Sequence, residues 1–215
     1  SITKVKKDTQ AYVGASNVVD AAANAPSSLG GVSNGSIPKG TTCGVAPFRG
    51  LSVQARSSES FFGLVISIAG GFVGVAIPVN VTILQATTSA FIAGGSLINT
   101  VLPGSSQQSV QVAALDSFKS LTVAGGAAGG FVGIGAGVDI GIADTSTSAY
   151  IGGGAIVRAG KDVNVYALAN KDVSTFAVAI GGGFAGIAGA VTVWTVGTAP
   201  TRSYDVNSGG SGGAS

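Results

Sequence analysis

Three short phrases recur along the 215-residue chain in one order, and this recurrence limits the fold more tightly than any other feature. Thr88-Ser89-Ala90-Phe91-Ile92 returns 59 residues later as Thr147-Ser148-Ala149-Tyr150-Ile151. An earlier form, Thr9-Gln10-Ala11-Tyr12-Val13, stands near the start. The pattern Gly-Gly-Phe-x-Gly comprises Gly70, Gly71, Phe72 and Gly74, then Gly129, Gly130, Phe131 and Gly133, then Gly182, Gly183, Phe184 and Gly186, at spacings of 59 and 53. An alternating phrase opens each unit: Leu51-Ser52-Val53-Gln54-Ala55, Val110-Gln111-Val112-Ala113-Ala114 and Val163-Asn164-Val165-Tyr166-Ala167. Repetition at such periods means supersecondary units that stack because none can bury its apolar face alone. The units run over 51–109, 110–162 and 163–206, the last cut short. Residues 1–19 read as a strand segment ending a preceding repeat. Residues 20–50, with Pro26, Pro38 and Pro47, read as a Pro/Gly/Ser-rich loop insertion, and 207–215 as a flexible Gly/Ser tail.

Residues 60–115 contain no charged side chain, so 61–84 raises a transmembrane helix, as do 121–143 and 176–196. Periodicity argues for strands instead. Val73, Val75, Ile77, Val79, Val81 and Ile83 occupy every second position, with Phe72, Gly74, Ala76, Pro78, Asn80 and Thr82 between them. The second unit sets Val132, Ile134, Ala136, Val138 and Ile140 against Gly133, Gly135, Gly137, Asp139 and Gly141. A strict period of two is a strand with one branched face and one bare face. Each glycine would also cost a helix about 1 kcal/mol. The bare face serves either close approach of a neighbouring sheet or chain, or turns and bulges that need positive φ. The Val, Ile and Phe side chains are then expected to point into the core. The fold class expected is all-β: a glycine-rich repeat β-solenoid of parallel β-helix type. A β-sandwich or a β-barrel is the alternative, since runs near ten residues suit those folds too. A barrel lumen should be polar, whereas here that face is mostly Gly and Ala.

Composition removes whole classes of chemistry. Glycine makes up 36 residues, charged residues only 9%, and there is no histidine. A Ser-His-Asp triad, a histidine metal site and a histidine pH switch are excluded. The single Cys43 makes no internal disulfide or cysteine zinc site, and without histidine to activate it the reading is a small packed residue. A net charge of +2 gives no footprint for nucleic acid. The chain does not begin with Met, as expected of a piece of a longer or processed product, and no leader peptide opens it.

The remaining motifs are partial. Gly181-Gly182-Gly183-Phe184-Ala185-Gly186, with Asp205 beyond, satisfies the dinucleotide fingerprint in letters, yet an alternating run follows where a helix is required. Gly135-Ala136-Gly137-Val138-Asp139-Ile140 matches part of the calcium nonapeptide and makes Asp139 the one metal candidate. Tandem copies normally share the ion, so a turn or edge aspartate is the plainer reading. Asp162 and Asp172 read as turn residues beside Lys161 and Lys171, and Lys4, Lys6 and Lys7 as a solvated flank. Asn34 and Asn80 head formal glycosylation triplets. Tyr12, Phe91 and Tyr150 share one repeat position and read as a core or ladder stack, and Trp194 as packed. Nine acidic residues offer no recognisable pair for glycoside cleavage.

Gly160-Lys161-Asp162-Val163-Asn164-Val165-Tyr166-Ala167, the run Ala177-Val178-Ala179-Ile180-Gly181-Gly182-Gly183-Phe184-Ala185-Gly186, and the linking Thr147-Ser148-Ala149-Tyr150-Ile151-Gly152 together resemble large bacterial surface repeat proteins. These are the filamentous-haemagglutinin-like and leukotoxin-type filamentous adhesins, and the likeness spans about residues 51–200. It implies an extracellular or cell-surface β-solenoid that mediates attachment or builds matrix. The functional expectation is a non-enzymatic structural subunit without cofactors, self-assembling by strand stacking through the glycine-phenylalanine positions named above. Its partners would be further copies of itself, with host-cell or matrix glycans as possible ligands, and neither nucleic acid nor a small-molecule substrate. The alternatives are a membrane-embedded barrel or helical protein, and a carbohydrate-binding or carbohydrate-degrading solenoid module.

Overall fold

A computed structural model describes residues 1–36, 43–102 and 104–197. Pro38, Asp205 and the 207–215 tail lie outside them, as does the end of the third unit. The chain is all-β, with no helix among the described residues. The described residues form thirteen strands in order: β1 (Ile2–Val13), β2 (Val18–Val19), β3 (Leu29–Ser33), β4 (Val45–Phe48), β5 (Gly50–Ala69), β6 (Val73–Ala76), β7 (Val79–Ile92), β8 (Leu97–Ile98), β9 (Ser109–Ala128), β10 (Val132–Ile151), β11 (Ile156–Val157), β12 (Val163–Gly181) and β13 (Ala185–Val196). The stretches 61–84, 121–143 and 176–196 are therefore strands and turns, which corrects the reading of them as helices. The alternation that forbids an amphipathic helix is the same alternation that fills these strands.

Two parallel sheets contain the long strands. The first has the order β1-β7-β10-β13, with β6 also on β10; the second has the order β5-β9-β12. Repeat partners sit side by side: Leu51, Val110 and Val163 share one row, and Thr9, Thr88 and Thr147 another. The offsets between strands of successive repeats equal the sequence spacings, so repeat-equivalent positions stack. A small parallel sheet, β2-β8-β11, repeats the arrangement in miniature. The 20–50 segment is more than loop, because β3 and β4 form an antiparallel hairpin. Pro47 is tolerated in β4 because that strand pairs on one side only.

The two long sheets face each other, and what lies between them changes along the strands. At one end Val53, Ala55, Ala90, Ile92, Ile98, Val110, Val112 and Ala114 make an aliphatic core. Next comes a polar zone in which Lys7 reaches across to Glu59 at 2.6 Å and Ser57 donates to the same Glu59 oxygen. Lys7 thus points inward, unlike Lys4 and Lys6, because it falls on the inner parity of β1. Leu84, Ala86, Phe118 and Ala143 then form a second apolar cluster. Beyond it, towards the turns at 70–72, 129–131 and 182–184, the inner side chains are mostly Gly and Ala.

In that far half the expected orientation is reversed. Val73, Val75, Ile77 and Val79 are exposed on the first sheet, and Phe62, Leu64, Ile66 and Ile68 on the second. The bare faces meet inside instead. Glycine lets the sheets come so close that carbonyl oxygens of one occupy the space where side chains of the other would start: a β-carbon on Gly137 would stand 2.7 Å from the Ala124 oxygen and 2.9 Å from that of Val178. Two backbones in contact leave no room for branched side chains, which are pushed to the outside.

Candidate assembly surfaces

The Gly-Gly-Phe turns are built from backbone constraint. Gly71, Gly130 and Gly183 hold φ of +131°, +148° and +135°. A β-carbon on Gly130 would overlap the Gly71 carbonyl oxygen, and one on Gly183 the Gly130 oxygen. Gly74 and Gly186 are just as confined, the first by the Gly129 oxygen and the second by the Gly181 oxygen, each at 2.6 Å. Gly133 is closed off by Gly182 and Ala128, while Gly70, Gly129 and Gly182 have open space or ordinary contacts. The glycines thus let one turn sit directly on the next within this chain. Phe72, Phe131 and Phe184 stack above these turns with centroids 5.1 Å apart and planes within 6°. Phe184 is 86% exposed, so the stack lies on the surface at the tip.

Tyr12, Phe91 and Tyr150 form a second ladder, with centroid separations of 5.2 and 5.0 Å. Tyr12 and Tyr150 are largely exposed, so these rings line the outer face of the first sheet and do not enter the core. Their place follows from parity: they share the outer side with Val73 and Ile77.

Asp139 is neither a turn nor an edge residue. It is fully buried between the sheets and accepts hydrogen bonds from Asn80 Nδ2 at 2.8 Å, Thr122 Oγ1 at 2.5 Å and Trp194 Nε1 at 2.8 Å. The three donors engage both carboxylate oxygens, and among the described residues no group of three metal-ligating side chains gathers there or elsewhere. Asn80 is buried in the same knot, which removes it as a glycan acceptor. Asn34 is exposed, its Oδ1 accepting from Ser36. Trp194 packs over Gly141, where a β-carbon would collide with the indole.

A second buried carboxylate was not legible in the sequence. Asp116 is 1% exposed beside Glu59, and neither of its oxygens accepts a hydrogen bond from a donor. Burial, then the neighbouring Glu59 charge, push its carboxyl up to about 6, with Lys171 and Lys7 opposing. Asp172 lies in β12 and is exposed, and Lys161 meets Asp162 only at 3.9 Å. The fingerprint at 181–186 is a strand-turn-strand with no helix to receive a pyrophosphate. Cys43 is half-buried and free.

Comparison of the chain with known protein families, curated proteins and solved structures gave no match. Among the described residues no helix is long and apolar enough to cross a membrane.

Proposed function

We propose that the chain is a structural, non-enzymatic protein whose successive passes are turns of a glycine-rich β-solenoid. We further propose that it works outside the cell or on a bacterial surface, as part of a filament or adhesin for attachment or matrix building. One observation carries this reading: both long sheets pair strand by strand in parallel at the repeat offsets, so every pass lays its repeat positions on the equivalent positions of the one before. Such stacking can be continued by any strand that presents the same row pattern, including strands of another copy, because sheet edges expose backbone donors and acceptors in register. The stacked aromatics at Phe72-Phe131-Phe184 and Tyr12-Phe91-Tyr150 add ring contacts at each step. Interior polar groups pair with one another in the Asp139 knot and in the Lys7–Glu59 bridge. Glycans remain the proposed ligand class for an adhesin of this kind, through the exposed tyrosines of the ladder.

The exposed apolar faces favour a membrane as a second reading. Against it stand the rims of the two sheets: β5 and β12 each pair on one side only. Unpaired backbone groups along such rims are what a hydrocarbon phase does not tolerate. Electron microscopy of the purified chain tests the proposal. Ordered fibres that lengthen with protein concentration are the expected outcome; dispersed particles at every concentration would refute self-assembly.

A further inference from the structure

Between the two long sheets, one amine and two carboxyl groups meet in the zone that separates the apolar clusters. Parity brings them together. Lys7 points inward from β1, level with Ala86, while Ser57, Asp116 and Ala169 share one inner row of the second sheet. Glu59 lies two residues beyond Ser57 on the same face, in a row with Phe118 and Lys171. Lys7 Nζ stands 2.6 Å from Glu59 Oε1, and Ser57 Oγ donates to that same oxygen at 2.6 Å. The other oxygen, Glu59 Oε2, is buried with no donor on it. Asp116 is 1% exposed, hydrogen-bonds to Glu59 and has no donor on either of its own oxygens. Burial and the Glu59 charge make it hold its proton beyond the usual carboxylate range.

We propose that Lys7 and Glu59 condense into an isopeptide bond that ties β1 of the first sheet to β5 of the second, with Asp116 carrying the protons. Two charges held out of water cost a desolvation energy that a neutral amide does not. The fold supplies proximity, since the amine already rests against the carboxyl group it would attack. The step balances with no further reactant. Asp116 gives its proton to Glu59 Oε2 and takes one from the Lys7 ammonium. The neutral amine then adds to Glu59 Cδ, and the Ser57 hydroxyl meets the charge that gathers on Oε1. A second proton follows the same route, the Cδ–Oε2 bond breaks, and Oε2 leaves as water. The nitrogen keeps one of its three protons, no electron is gained or lost, and Asp116 ends as the acid it began. The oxygen expelled is the one without a donor. The Lys7 side chain is 39% exposed, so the water has a way out. Each chain reacts once on itself, which makes no enzyme, and the bond forms whether or not copies stack. It adds to the structural reading a covalent strap across the two sheets, closed over the β3–β4 hairpin.

Intact-mass spectrometry of the purified full chain tests this. Wild-type protein is lighter than its sequence by one water, and after boiling in detergent it migrates as a more compact chain. In a tryptic digest Lys7 resists cleavage and its peptide is joined to the one that holds Glu59. Lys7→Arg keeps the ion pair but has no amine to acylate, so it runs at full sequence mass with unchanged circular dichroism. Lys171→Arg, in the Glu59 row but outside the contact, still loses the water. Asp116→Asn cannot pass a proton and slows the loss by about 10²-fold or more, the usual share of a positioned acid or base. Wild-type protein at full mass would overturn the proposal, as would water loss that survives Lys7→Arg or vanishes in Lys171→Arg. A branched peptide joining Lys7 to any carboxyl group other than Glu59 would overturn it too. Water loss at the wild-type rate in Asp116→Asn would overturn the role given to Asp116.

Discussion

Two adjacent glycines should respond to the same substitution with opposite signs. Gly126 faces inward from β9, where a β-carbon would overlap the Ala136 oxygen and stand 2.7 Å from that of Ala76. Real β-carbons essentially never come within 3.0 Å of such atoms, and both obstacles are backbone, so no side chain can swing aside. Restoring ordinary contact means parting the sheets locally by about 1 Å, which forfeits a quarter to a half of each dispersion contact across the gap. Overpacking typically costs about 1–3 kcal/mol, and an obstacle made of backbone puts Gly126→Ala at about 3 kcal/mol or more. For a chain of this size that is a fall in Tm of about 6–12 °C. Gly125 faces outward, with Ile66 Cγ1 at 3.8 Å and no positive φ. Gly125→Ala should therefore be neutral or stabilising by about 0.4–1 kcal/mol through lost unfolded-state entropy. Urea titrations followed by circular dichroism measure the gap of about 3–4 kcal/mol between the variants. A difference below about 1 kcal/mol would refute backbone-to-backbone packing of the sheets.

Asp116 makes stability pH-dependent. Its carboxyl lies at about 6 in the folded chain against 3.8 ordinarily, so the folded state binds the proton more tightly. The stability this contributes is fully present below about pH 4 and lost as pH rises through about 6, a swing of roughly 3 kcal/mol that Asp116→Asn should flatten in chemical denaturation from pH 4 to 8. Asp139→Ala strands the buried donors of Asn80 and Thr122 and the part-buried one of Trp194, and should cost about 3 kcal/mol, with a red-shifted Trp194 emission as the optical report. Calcium should leave the wild-type Tm unchanged, and a rise would restore Asp139 as an ion ligand. Phe91 stacks on both Tyr12 and Tyr150, so Phe91→Leu should lose about twice the stacking energy of Tyr12→Leu, at about 0.5–1.5 kcal/mol per ring pair in thermal melts.

The strands and their neighbours were readable because both follow from spacing. Phe72, Phe131 and Phe184 stand one repeat apart in the sequence and stack one pass apart in space. Orientation was not readable by the same route. Hydropathy ranks a Val-Ile face above a Gly-Ala face and sends the first to the core, and that is correct where Val53 and Ile92 meet. It fails at Val75 and Ile77, because approach of two glycine-faced backbones is a property of the pair of sheets and not of either strand. The Asp139 knot joins four segments, so no local pattern announces it. One trace existed: Asn80 and Asp139 fall on the same repeat position, and polar residues at equivalent rows of inward parity mark an interior ladder. The same parity places Lys7 opposite Glu59, where the cluster of Lys4, Lys6 and Lys7 reads as a solvated flank. The hairpin of β3 and β4 was hidden by its prolines, since Pro47 marks an edge strand as readily as a loop.

X-ray diffraction from oriented fibres of the purified chain tests the central claim most directly. Strands that stack pass upon pass along the growth direction predict a sharp meridional reflection at about 4.8 Å. Fibres with that spacing across the axis instead of along it, or a chain that stays monomeric at every concentration, would contradict a protein that grows by stacking its own strands.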